Sequence, residues 1–174
     1  VTRYIIDSKR SRLWALARSS LHPIRVETDG LEGYLDAESV DGGVRLGLPI
    51  RVELEAALIR SGNALLDGEL ERRLEVRKYR RVIGEARELK ALDPAGGRYW
   101  VRGDLTLHGV TRVLEAQLTS RTLGDGAFEL TGDRAIDMRD FGLTPPKLFI
   151  FRVYPEVQLR VCLVASFPKT TQTS

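Results

Sequence analysis

The sequence predicts an all-β protein: about eight antiparallel strands, closed as an up-and-down barrel or folded as a sandwich, with one short inserted helix. Three observations predict it. Apolar side chains recur at every second position through most of the chain, which puts them on one face of a strand. Glycine-rich turn strings separate these runs, so strands pair with their sequence neighbours. One stretch changes to helical spacing. About eight short strands joined by short turns fit a barrel or a sandwich.

The elements follow in order. Leu13–Ala17 and Leu31–Ala37 alternate weakly, with Asp29-Gly30 between them. From Val44 to Leu54 every even position is apolar, and the odd positions hold Arg45, Gly47, Pro49, Arg51 and Glu53. Such a strand has one wet face, and Pro49 marks an edge or a bulge. Asn63 then predicts a helix cap, with Leu66, Leu70 and Leu74 on one helical face. A helix inserted between strands fits a lid or plug. Alternation returns at Val82–Leu89, Arg98–Leu107, Leu114–Leu118, Phe128–Thr131 and Val153–Ala165. The turns here are Asp93-Pro94-Ala95-Gly96-Gly97, His108-Gly109 and Gly124-Asp125-Gly126. Residues 1–166 read as one domain, and 167–174 as a polar, frayed tail.

Composition narrows the classes. The chain has 174 residues, 43% hydrophobic and 29% charged, which is enough for a core without disulfides or metals. The single cysteine, Cys162, forms no intramolecular disulfide and no thiolate metal site by itself. A net charge of +3 does not imply nucleic acid. No run of about 18 apolar residues offers a spanning helix. No export signal is evident, so the expected compartment is the cytoplasm, with the periplasm as the alternative.

Candidate chemistry is sparse. His22 and His108 are the only histidines, and both fall in turns. They are read as turn residues, and no metal or cofactor is expected. Asp140-Phe141-Gly142 spells a kinase metal-binding tripeptide but lacks every accompanying kinase motif. The run from Arg72 to Arg81 is basic. Its first reading is a solvated helix C-terminus, its second a site for anionic lipid headgroups, as in a transient membrane-surface contact, or for a prenyl phosphate, and its last nucleic acid. The inward phase is often small: Ala15, Ala17, Gly33, Ala37, Gly84, Ala86, Gly103 and Ala116. An eight-stranded barrel is just wide enough to be filled or to hold one ligand, and small inward residues leave room.

Several strings resemble the YceI family. Tyr4-Ile5-Ile6-Asp7 with Ser11 is similar to its opening. Gly103-Asp104-Leu105-Thr106-Leu107-His108-Gly109-Val110-Thr111-Arg112 resembles its most specific motif, and Met138-Arg139-Asp140-Phe141-Gly142 its second. The helix followed by Lys78-Tyr79 is also similar, although Arg80 stands where the family usually has proline. The resemblance covers Tyr4 to about Ala165. It implies a lipocalin-like antiparallel barrel, often dimeric, whose tunnel holds a prenyl quinone or other isoprenoid lipid. With a tunnel implied, the inward phase nominates as lining Leu46, Leu48, Ile50, Val101, Leu105, Leu114, Leu118, Phe128, Val157, Leu159 and Val161. Lipid binding without catalysis is the leading function. A filled barrel serving as an interaction module is the alternative, and an enzyme for an apolar substrate ranks below it; Leu148–Phe151 reads as a partner surface of a filled barrel or as the portal rim of an open one.

Overall fold

The computed structural model describes residues 1–93, 96–148 and 151–168. Its strands are β1 (Thr2–Ile6), β2 (Arg12–Ser19), β3 (Ile24–Thr28), β4 (Glu32–Val40), β5 (Gly43–Glu55), β6 (Arg81–Ala91), β7 (Arg98–Leu107), β8 (Val110–Thr122), β9 (Phe128–Asp137), β10 (Lys147–Leu148) and β11 (Phe151–Ser166). The helix α1 is Ala64–Leu74. Neighbours run β1-β4-β5-β6-β7-β8-β9-β11, all antiparallel, and β11 returns to β1. This closes an eight-stranded barrel, so the sandwich reading falls away.

Membership of the barrel differs from the sequence expectation. β1 completes the wall, although its five residues are too few to show a clear period. The long strand β11 serves two partners along one edge. β2 pairs with it over Val153–Cys162, and β1 pairs only at Ala165 and Ser166. The switch point is held by buried groups. The Val164 amide donates to Ser11 Oγ at 3.0 Å, and the Asp7 amide donates to the Val164 carbonyl at 2.8 Å. Ser11 is fully buried, so removing its hydroxyl strands a backbone N–H.

β2 continues past this point as a hairpin with β3, and among the described residues the outer edge of β3 makes only one bridge, Glu27 to Arg60. Helix α1 lies beside this end of the barrel. Its Asn63 side chain accepts from the amides of Leu65 and Leu66, as the sequence predicts for an N-cap. Leu66 packs with Ala17, Ile24 and Val153, while Leu74 packs with Ala56 and Val76. Below the helix start, Asp67 accepts from the Ser61 amide at 2.5 Å and the Ser61 hydroxyl at 2.7 Å. Burial pushes the Asp67 carboxyl up, but bonds from Ser61 and Gly62 and the nearby Arg60 outweigh it and hold the group below the usual range.

The opposite end is filled. Tyr4, Leu35, Leu46, Tyr99, Phe128 and Leu130 form one buried cluster. Tyr4 meets Phe128 edge-on, with centroids 4.9 Å apart. The Tyr99 hydroxyl accepts from the Leu46 amide at 3.2 Å, which satisfies its polar tip inside the core. Phe167, the first residue of the expected tail, lies against Tyr4 at 4.5 Å but is 52% exposed, so it covers the edge of the core. Residues 169–174 lie outside the described residues.

Outside the barrel, cross-strand ion pairs of both signs cover the polar phase, among them Arg87–Asp104, Arg102–Glu88 and Arg121–Glu129. Exposed pairs of this kind add little to stability, because water and salt screen them. In the basic run, Arg72 and Arg73 both pair with Glu69, and Arg81 faces Glu53. Three of the run's cations are thus paired, while Arg77, Lys78 and Arg80 stand exposed.

Candidate ligand chamber

Two adjoining cavities occupy the barrel between the packed end and α1. One, of about 220 Å³, lies under the helix against Leu66, Leu70, Leu74, Met138 and Leu143. The other, of about 260 Å³, lies deeper against Ile50, Val101, Leu114, Ala116 and Leu118. Leu13, Val82, Leu105 and Leu159 line both. Taken together the chambers fall within the roughly 300–1,000 Å³ of small-molecule sites. Their walls are almost wholly apolar.

The room arises where the inward phase is small, but smallness has two causes. Gly84 lines the deeper chamber, and a Cβ placed there would meet nothing within 4 Å. Gly103 lines it too, yet a Cβ there would lie 2.4 Å from the Glu85 carbonyl oxygen. Gly84 leaves space, whereas Gly103 permits two strands to approach. Gly33 belongs with Gly103, since a Cβ there would lie 2.0 Å from the Arg51 oxygen. Ala37 is buried in the packed end. Ala15 and Ala17 open the chamber below the helix, and Ala86 and Ala116 the deeper one.

Eight of the eleven residues nominated from sequence line a chamber. Ile50, Val101, Leu105, Leu114, Leu118, Leu159 and Val161 line the deeper one, and Val157 joins Leu105 and Leu159 below the helix. Three do not. Leu46 and Phe128 have the inward phase but are consumed in the packed end. Leu48 is turned out and 41% exposed. Between Leu35↔Ile50 and Ala37↔Leu46, one residue of β4 faces three of β5, and this bulge breaks the period at Leu48. Sequence reasoning missed Leu13, Val82, Leu107 and Leu143 as walls. The fourfold spacing of Leu66, Leu70 and Leu74 was the available signal for the roof.

A larger groove of about 1260 Å³ runs along outward side chains of β2, β3, β9 and β11. It is not the better site for a hydrocarbon. Arg12 faces Glu27 and Asp29 there, and Arg160 faces Asp133. Cys162 lines this groove, and burial followed by the adjacent Glu129 pushes its thiol up to about 11. It is a poor nucleophile at neutral pH. Among the described residues no cluster of three His, Cys, Asp or Glu side chains is placed to hold a metal ion. No helix there is long and apolar enough to cross a membrane.

A sequence profile of the YceI-like domain matches residues 4–165. The chain belongs to the YceI-like family. Solved structures agree on the fold. BcnA of Burkholderia cenocepacia is 16% identical, with a TM-score of 0.75 over 92% of this chain and 99% of that one. A polyisoprenoid-binding domain from Saccharophagus degradans, implicated in plant cell wall breakdown, is 17% identical, with a TM-score of 0.72 over 95% of this chain and 98% of that one. The YceI protein of Campylobacter jejuni is 14% identical, with a TM-score of 0.67 over 84% and 86%. No curated protein matches.

The strings that resembled YceI now have physical roles. His108 and Gly109 both take positive φ, 53° and 70°, and make the two-residue turn between β7 and β8. His108 Nδ1 lies 3.1 Å from the Phe141 carbonyl oxygen, and Nε2 lies 2.6 Å from Glu75 Oε2. The Tyr79 ring meets the imidazole edge-on at 4.9 Å. A Cβ at residue 109 would stand 2.4 Å from that ring. His108 thus ties the helix C-cap to the Met138–Phe141 turn. In that turn Asp137 caps the Arg139 amide, Phe141 is buried, and Gly142 ends the turn with φ 71°. The kinase-like tripeptide is a turn, and neither histidine lines a chamber.

Proposed function

We propose that the protein binds the hydrocarbon chain of an isoprenoid lipid, such as a prenyl quinone or polyprenol, inside the barrel. The observation that carries this is the pair of adjoining apolar chambers under α1. Each methylene taken from water into such a space contributes about 0.8 kcal/mol, so a branched chain binds without polar contacts. Membership of the YceI-like family and a polyisoprenoid-binding structural neighbour support the ligand class. Neither His22 nor His108 lines the chambers and the Cys162 thiol faces the outer groove, so a bound chain meets no imidazole or thiol there. The basic run at the end of α1, with Arg77 and Lys78 beside the roof, supports loading at an anionic membrane surface.

Native mass spectrometry of freshly purified protein, with organic extraction of bound material, tests the reading. A co-purifying prenyl lipid, or stoichiometric uptake of added geranylgeraniol, is the expected result. A clean protein mass with no uptake at saturating lipid would favour the filled-barrel interaction module instead.

A further inference from the structure

The two chambers share part of their lining: Leu13 of β2, Val82 of β6, Leu105 of β7 and Leu159 of β11 border both. These four side chains come from four different strands and face both spaces. Small residues flank them on either side: Ala15 and Ala17 toward the helix, Gly84 and Ala116 toward the packed end. Register places Gly84 directly opposite Leu105, so the emptiest wall position abuts the belt. Each chamber alone is smaller than the roughly 300 Å³ lower bound of usual ligand sites, and only the pair exceeds it.

We infer that this belt of four aliphatic side chains divides the chamber and sets which chain lengths the protein accepts. The inference rests on the proposed lipid function and concerns how that site discriminates. A short chain fills the space under α1 and gains nothing from the deeper one. A longer chain gains apolar burial only by passing between Leu13, Val82, Leu105 and Leu159, which must turn aside to admit it. Affinity therefore rises with chain length until the first space is full. It rises further only for chains that cross the belt. Leu and Val change rotamer without exposing polar groups, so the crossing costs packing rather than hydrogen bonds.

The experiment measures dissociation constants for geraniol, farnesol and geranylgeraniol with three proteins: wild type, Gly84→Leu and Leu159→Ala. Gly84→Leu fills the space beyond the belt, at a position where an added Cβ meets no atom within 4 Å and the backbone has no positive φ. It is expected to lower the preference for geranylgeraniol over geraniol by about tenfold or more. Leu159→Ala removes one member of the belt and is expected to raise that preference. Thermal melts confirm that each variant is folded, and the two variants act in opposite directions, so loss of either leaves the other decisive. Preference ratios equal to wild type in the folded variants would overturn the belt while leaving lipid binding intact. Failure of wild type to bind any of the three alcohols would instead overturn the lipid reading itself.

Discussion

The two halves of the barrel interior are built from the same alternating pattern yet end in opposite states. At the end closed by β1 and β11, the inward positions are Tyr4, Leu35, Tyr99, Phe128 and Leu130, and each is almost fully buried. At the end roofed by α1, the inward positions include Ala15, Ala17, Gly84, Ala86 and Ala116, and two chambers remain. Aromatic rings bring the volume that eight strands enclose, whereas alanine and glycine do not. The lesson is that an inward phase identifies the interior, and the sum of side-chain volumes at one level decides whether that interior is solid.

The contrast can be broken most strongly at Phe128. Phe128→Ala opens a cavity in the packed end and is expected to cost about 3–5 kcal/mol, read by chemical denaturation. Leu159→Ala, beside an existing void, is expected to cost less than the roughly 2–5 kcal/mol of leucine truncations in solid cores. Equal losses at the two sites would mean that the chambers are closed in solution.

A second effect concerns what holds the roof. His108→Ala removes the bonds to Glu75 and Phe141 and the contact with Tyr79. A loss of about 1–3 kcal/mol is expected, since the partners lie partly out of water. Hydrogen exchange should rise first in α1 and in Met138–Phe141. Uniform loosening of the whole barrel would remove His108 from this local role.

Acid sharpens the same comparison. The Asp67 carboxyl is held below its usual range in the folded protein. Its contribution is therefore fully present above the unfolded value of about 3.9 and is lost as pH falls through the lower folded value. The melting-temperature difference between wild type and Asp67→Asn is expected at pH 6 and should shrink below about pH 4. A difference that grows in acid would reverse the assigned sign.

The smallest effect is at Gly84. Gly84→Ala adds a methyl group to empty space on an ordinary strand backbone, so a neutral change or a gain of about 0.4–1 kcal/mol is expected in a melt. The same substitution at Gly103 meets the Glu85 oxygen and should destabilise. If both behave alike, the two causes of smallness are not distinct.

Much of this was legible in the chain itself. Alternation from Val44 to Leu54 and from Val153 to Ala165 determined the strands and their wet faces, because a strand repeats every two residues. Asn63 and three leucines four apart determined the helix and its buried side, and His108-Gly109 determined a tight turn. Each of these is set by neighbours within a few residues. Only the tertiary structure decided the rest. β1 rather than β2 closes the wall because β11 changes partner at Val164, a contact 153 residues distant from Ser11. Leu48 left the interior because β4 and β5 pair out of step around it. Which apolar residues pack and which face open space depends on volumes contributed by eight strands at one level, and no local pattern carries that sum.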